Sequence, residues 1–320
     1  MTATKQSGFS TVPRLTILVG KGGVGRSTLT AALGLVSARR GLNTVMVETA
    51  ARQAIPSLFE KEPLGYQPVQ CAERLHCIRV TWEDALREYG LMKLKFRAMY
   101  RLVFENPFVR RLLPAIPGIS DILVIGKILH VATDGLAGSG PPDAVILDSP
   151  ATGHGLSLFA APKVVSDTVP TGPMAEDARR LRGLLLDRIF TRFHIVTTPE
   201  EMPVAESVEL FSDLGGTYGF PFGPVLVNGV QRRGLQTAHR RSLSALSRSV
   251  GPGDPVSAEV EGALFMAARY EMQRGHVSRL KREVPLPVVK LPDLPGGASG
   301  SRRVMTLADH LDAALWREQR

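Results

Sequence analysis

The chain has 320 residues, 44% of them hydrophobic and 22% charged, with a formal net charge of +9. That size and apolar fraction exclude a disordered tail or a small disulfide-stapled module and allow one large α/β domain with a substantial core. No apolar run reaches the roughly 18 residues needed to span a bilayer, and residues 1–13 lack the apolar core of a signal peptide, so a cytoplasmic protein is expected. The basic excess favours acidic partners such as nucleotide, anionic lipid or nucleic acid. It is dispersed in pairs such as Arg39-Arg40 and Arg240-Arg241, with no long tract, and most of it reads as solvated helix surface. Cys71 and Cys77 cannot build a disulfide framework and, with only His76 beside them, make a poor metal site; both are expected as reduced thiols.

In chain order, the apolar run Leu15 to Val19 reads as a buried strand and leads into Gly20-Lys21-Gly22-Gly23-Val24-Gly25-Arg26-Ser27-Thr28, with a helix opening at Ser27. Glycines let backbone N–H groups gather around phosphate oxygens, and the positive end of the helix faces the same charge. Against the pattern G-x-x-x-x-G-K-[ST], Gly20, Gly25 and Ser27 fit, Ser27 offering the hydroxyl that holds Mg²⁺, and Arg26 stands where the pattern has lysine. A guanidinium keeps the charge but is a broad planar fork, so nucleotide binding is expected while catalytic geometry is altered.

Thr44 to Val47, Leu75 to Val80, Ala144 to Leu147, His194 to Thr197, Val225 to Val227 and Val288 to Leu291 also read as buried strands separated by helical stretches. The expected fold is α/β, a doubly wound, mainly parallel sheet of the phosphate-loop NTPase type with an inserted helical subdomain, and its ligands lie beyond the carboxyl ends of the strands. The insertion covers about 83–140, longer than an ordinary crossover needs. Thr81 and Asp84 form a capping box there, and Tyr89, Met92, Phe96, Met99 and Val103 follow a three-four spacing, with Arg87, Lys93, Arg97 and Arg101 on other faces. This stripe either packs on neighbouring elements or forms an adaptable apolar groove for a partner helix; the residues leave both open. A second apolar segment runs from Ile116 to Val131 after Pro114, and a further helical segment covers about 172–190, with its helix from Ala175 to Phe190. The strand Ala144 to Leu147 ends in Asp148, a carboxylate placed to order Mg²⁺ and its waters. Pro292 to Ser301 reads as a surface loop before a last helix, Met305 to Arg317. With no internal repeat, residues 1–320 are expected as one domain.

The run Lys21-Gly22-Gly23-Val24-Gly25 with a following cation and Ser27 resembles the deviant Walker A motif K-G-G-x-G-K-[ST]. Asp148-Ser149-Pro150-Ala151-Thr152-Gly153-His154-Gly155 is similar to the switch motif D-T-A-P-T-G-H-T, matching at Asp148, Thr152, Gly153 and His154. Pro117-Gly118-Ile119-Ser120-Asp121 resembles P-G-I-D-E, Thr198 to Val204 resembles T-P-E-x-L-P-V, and Val227-Asn228 resembles a V-N pair. In their order these motifs resemble the ArsA-type ATPases, the family of the arsenite-pump ATPase and of the ATPase that targets tail-anchored membrane proteins. The likeness covers residues 15 to about 230 and favours that branch over ParA or MinD.

The resemblance implies Mg-ATP as cofactor and a nucleotide-sandwich dimer in which Lys21 acts across the interface. It implies that Asp148 orders the metal's waters, that Thr152, Gly153 and His154 respond to the γ-phosphate, and that Asn228 reads adenine. Gly20, Lys21, Gly22, Gly23, Val24, Gly25, Arg26, Ser27 and Thr28 would contact the phosphates. One departure matters most. Where relatives carry D-P-A-H-x-L-x-x-x-F, this chain runs from Ala50 to Phe59, so the water-orienting aspartate is Ala50. Glu48, two residues earlier on the same strand face, is the other carboxylate offered for that role. The cysteines fit neither a zinc-bridged dimer nor an arsenite-binding triplet.

The expectation is an ATP-binding, dimeric ATPase, slow alone or dependent on a partner subunit, that couples nucleotide state to a protein partner or client at the helical insertion. The alternatives are a hydrolysis-impaired regulatory subunit paired with an aspartate-bearing paralogue, and a ParA-like ATPase associated with DNA. No specific nucleic acid and no transmembrane segment are expected, and a peripheral membrane connection stays open.

Overall fold

The structure is a computed structural model and describes residues 12–49, 54–62, 67–93, 118–136, 139–231, 234–235, 237–251, 254–294 and 300–316. Its strands are β1 (Leu15–Val19), β2 (Thr44–Glu48), β3 (Val69–Ala72), β4 (Leu75–Arg79), β5 (Ala144–Asp148), β6 (Thr191–Thr197), β7 (Val225–Val230) and β8 (Val288–Pro292). They form an eight-stranded sheet in the order β3-β4-β2-β5-β1-β6-β7-β8, parallel throughout except for the edge pair β3–β4. Strands β1, β2 and β5 are buried at every position, as expected of apolar runs covered on both faces of a parallel sheet. The expected α/β architecture is therefore present. β3 was not expected: four residues with a β-bulge carry too short an alternation to stand out.

The helices are α1 (Arg26–Arg39), α2 (Ile55–Leu58), α3 (Trp82–Lys93), α4 (Ile119–Asp134), α5 (Thr152–Thr168), α6 (Pro173–Leu186), α7 (Glu201–Phe211), α8 (Thr237–Ser249), α9 (Pro255–Glu283) and α10 (Gly300–Leu315). On one face of the sheet Leu33 and Val36 of α1 and Val304 and Leu311 of α10 join a core with Met46, Leu75 and Leu226. On the other, Ile125 and Ile128 of α4, Leu185 of α6 and Val277 and Leu280 of α9 cover Val45, Val145, Phe193 and Val225.

Several boundaries differ from the sequence expectation. The helix expected from Ala175 to Phe190 ends at Leu186, and β6 starts at Thr191, because the Asp187 carboxylate accepts N–H bonds from Ile189 (2.8 Å) and Phe190 (3.3 Å) and closes a turn there. The last helix starts at Gly300, shortening the expected loop from both ends since β8 runs to Pro292. Half of the expected capping box is present: Thr81 Oγ1 accepts from the Asp84 backbone N–H at 3.2 Å, while the Asp84 carboxylate accepts from the Thr81 hydroxyl at 2.6 Å in place of its backbone N–H. Phe96, Met99 and Val103 of the apolar stripe lie outside the described residues.

Helix α5 straddles two cores. Leu158 and Phe159 belong to the sheet core, where the Phe159 ring meets Phe193 edge-on at 5.0 Å and Phe193 stacks on Phe220 at 4.9 Å. Ala161 and Val165 instead pack with Ile122 of α4 and Ala178 of α6. Pro162 lies within the second set, directly after Ala161, and removes a helical N–H there.

Candidate nucleotide site

The loop 20–25 leaves the carboxyl end of β1, in the middle of the sheet, where parallel strands open a ligand crevice. Two of its glycines are demanded by close approach. A Cβ on Gly20 would lie 2.2 Å from the Val196 carbonyl oxygen, and one on Gly25, whose φ is +91°, would lie 2.3 Å from Asn228 Nδ2. Gly25 is also the N-cap of α1, so the helix starts one residue earlier than expected, at Arg26, with its first N–H groups turned to the loop.

Ser27 and Asp148 come together as the metal reading requires. The Ser27 hydroxyl donates to Asp148 Oδ2 at 2.5 Å, and Asp148 Oδ1 is buried with no hydrogen-bond partner among the described residues. Burial raises the Asp148 pKa above its ordinary value, against the Ser27 hydrogen bond and the Arg26 charge that lower it. No group of three or more His, Cys, Asp or Glu side chains among the described residues forms a ready-made cage. A hydroxyl and one carboxylate whose second oxygen is an orphaned acceptor are instead the donor set of a cation that keeps several waters, as Mg²⁺ does, and in that sense the residues fit it.

Arg26 does not point into an open loop. Its Nη1 donates to the carbonyl oxygens of Ser149 (2.6 Å) and Pro150 (2.5 Å) and reaches Ser149 Oγ at 3.3 Å. Desolvation lowers its pKa and the Asp148 charge raises it. The cation thus ties the phosphate loop to the start of the 149–155 segment. Thr152 and Gly153 open α5 immediately beyond, and the side chains of Thr152 and His154 lie outside the described residues.

Lys21 forms an ion pair with Glu206 of α7 at 2.6 Å, both side chains about a third exposed. Glu206 was not singled out by the sequence; β6 pairs with β1, so the helix after β6 passes beside the loop, a proximity legible only from the topology. Asn228 sits at the end of β7 and its Nδ2 donates to the Val24 carbonyl at 2.9 Å, so the second N–H and Oδ1 are what it offers to a base.

Glu48 is fully buried, and its Oε1 accepts from the Ala54 (2.7 Å) and Ile55 (3.0 Å) backbone N–H groups at the start of α2. Burial raises its pKa; the two N–H bonds oppose this, the Asp148 charge adds to it, and the Cys77 hydrogen bond opposes it. Ala50 lies outside the described residues.

A family model described as an anion-transporting ATPase, ArsA_ATPase, matches residues 13–172, half of the chain. The ATPase BagA of Mycobacterium tuberculosis is 32% identical over 242 residues, covering 71% of both chains. The chain belongs to the ArsA ATPase family. The chain is also similar to a protein of Aquifex aeolicus, named provisionally as an arsenical pump-driving ATPase 1, 22% identical over 341 residues covering 92% of this chain and 78% of that one. Protein Rv2184c of M. tuberculosis is 25% identical over 250 residues, covering 65% of this chain and 57% of that one. The matched stretch of the ArsA family model contains the phosphate loop, β2, β5 and the whole of α5. Membership supports nucleotide binding and ATPase chemistry at this crevice. No helix among the described residues is long and apolar enough to cross a membrane.

Proposed function

We propose that this ArsA-family chain is a dimeric Mg-ATP-binding ATPase whose nucleotide state governs a protein partner held by its helical insertion. The observation that carries the reading is the Ser27–Asp148 pair at the mouth of the phosphate loop, with Asp148 Oδ1 left as an open acceptor. Magnesium bound there would neutralise charge on the β- and γ-phosphates. Around it, the backbone N–H groups of residues 20–25 and the start of α1 hold phosphate oxygens, and Asn228 accepts from the base. Lys21 serves the partner subunit's nucleotide once it leaves Glu206. Arg26 holds the Ser149 and Pro150 carbonyls, and turning to the phosphates would release them and free the 149–155 segment.

The partner site is the apolar groove between α3, α4 and α6, a cavity of about 450 Å³ lined by Leu86, Tyr89, Ile122, Leu123, Met174 and Leu181. Its polar rim includes the Lys127–Glu88 ion pair and the Tyr89 hydroxyl bonded to Asp177 at 3.2 Å. An apolar helix of another protein is the occupant this groove suits.

One observation favours a second, narrower reading, in which this chain is the hydrolysis-impaired member of a heterodimer. The Glu48 carboxylate is committed to the N-terminus of α2, so its role is to cap that helix and not to orient water. Losing a water-positioning group costs about 10² to 10⁴ in rate. Calorimetry with ATP, with and without magnesium, tests the common core of both readings. Asp148→Asn should abolish the gain from magnesium, and equal affinity of the parent with and without the metal would sink the assignment.

A further inference from the structure

Cys71 lies on the edge strand β3 and Cys77 on its antiparallel neighbour β4, and both side chains turn into the same core as Leu33, Met46 and Leu75. The strands pair Val69 with Cys77 and Gln70 with His76, then Ala72 with Leu75, so Cys71 is the extra residue of a β-bulge. The bulge keeps Cys71 on the inward face, diagonal to Cys77 on the neighbouring strand, and each thiol shifts the pKa of the other. Cys77 Sγ also donates to Glu48 Oε2 at 3.8 Å, and Cys71 Sγ to the Val69 carbonyl at 3.8 Å.

We propose that Cys71 and Cys77 are an oxidisable dithiol, a modification site at which a peroxide closes an intrachain disulfide. Both are free thiols in this structure, and they face one core from adjacent, hydrogen-bonded strands, so side-chain rotation is the main movement that a bond between them asks for. The pair is asymmetric. The neighbouring Cys77 thiol lowers the Cys71 pKa against burial and the Glu48 charge, with Lys61 assisting. The neighbouring Cys71, burial and Glu48 raise that of Cys77. β3 is an edge strand, and Cys71 is 8% exposed against 2% for Cys77, so an oxidant reaches Cys71 first.

The Cys71 thiolate attacks one oxygen of hydrogen peroxide, the O–O bond breaks, and the departing hydroxide takes up a proton and leaves as water. Cys71 is then a sulfenic acid. Cys77 attacks that sulfur, the S–O bond breaks, and the hydroxide leaves with the Cys77 proton as a second water. Two thiols and one peroxide give one disulfide and two waters, and two electrons pass from sulfur to oxygen. The closed bond removes the Cys77 S–H donor from Glu48, the carboxylate that caps α2.

The test is to treat the reduced, folded full chain with excess hydrogen peroxide, remove the oxidant and measure intact mass and alkylation by iodoacetamide in denaturant. The expected result is loss of two hydrogens, protection of both cysteines, and recovery of both with dithiothreitol. Cys77→Ser should stop at a Cys71 sulfenic acid trapped by dimedone. If that variant does not fold, the parent is compared with parent unfolded in urea, where closure should be at least tenfold slower. Full alkylation of both thiols after peroxide, a disulfide only between chains, or equal closure rates in folded and unfolded chain would overturn the proposal.

Discussion

Arg26→Lys is the substitution that most directly tests how this phosphate loop differs from the lysine-bearing pattern. Arg26 Nη1 holds two carbonyl oxygens at 2.6 and 2.5 Å. A hydrogen bond to a charged group contributes about 1.5–3 kcal/mol. Lysine is shorter and presents no planar fork, so it loses at least one of the two contacts. Partial solvent screening of a side chain that is not fully buried brings the expected loss of apo stability to about 2 kcal/mol. The same contacts must be broken before the cation can serve a phosphate, so removing them should tighten Mg-ATP binding by about 20- to 30-fold, the affinity equivalent of that energy. Urea unfolding of the apo protein and calorimetry with Mg-ATP measure the two quantities on the same variant. Unchanged apo stability, or weaker ATP binding by the lysine variant, would refute the latch and show that the guanidinium meets phosphate from where it stands.

Gly25→Val should abolish ATP binding while leaving the sheet folded, since its Cβ would meet Asn228 Nδ2 at a positive φ; equal affinity in calorimetry would contradict the loop's role. Lys21→Ala should leave ATP binding by this chain within about twofold yet lower hydrolysis by an aspartate-bearing partner mixed with it by about 10²-fold or more, the scale of a transition-state charge contact. A purified homodimer that turns over rapidly and is indifferent to Glu48→Ala would show the catalytic group to be elsewhere. Acid should weaken the fold through His194, which is fully buried with Nδ1 donating to the Pro224 carbonyl at 2.8 Å and whose pKa burial pushes down to about 4. The unfolded chain takes up that proton below its ordinary value of 6.5, so this stability is intact above pH 6.5 and falls by about 3 kcal/mol towards pH 4. The difference between the pH profiles of parent and His194→Gln in urea unfolding isolates it, and parallel profiles would rule it out.

The parts of the site that a short stretch of chain carries by itself were legible beforehand. Glycines at 20 and 25, the hydroxyl of Ser27 and a carboxylate closing an apolar strand are local requirements of holding phosphate and metal, and the fold brings Ser27 and Asp148 into contact across 121 residues. The sheet followed from continuous apolar runs, and the edge strand β3 did not, because its burial alternates over only four residues. What could not be read were the pairings that depend on which elements become neighbours. Nothing near Lys21 points to Glu206, and nothing in Glu48 announces that its carboxylate closes the start of α2. Arg26 was legible as a departure but not as a bridge, since its acceptors are main-chain oxygens that any residue type would supply.

The two-core packing of α5 has a mechanical consequence. Its first turn follows the 149–151 segment that Arg26 holds, its middle is pinned by Phe159 wedged against Phe193, and its far half is gripped by Ile122 and Ala178. A rod fixed at its centre cannot slide, because translation would drag an aromatic ring through close-packed neighbours. It can rock. With Phe159 as fulcrum and Pro162 as the weak point beside it, displacement of the 149–155 end by an incoming phosphate tilts the opposite arm against α4 and α6. Those two helices form walls of the apolar groove, so a tilt of this one continuous helix would change the groove's width.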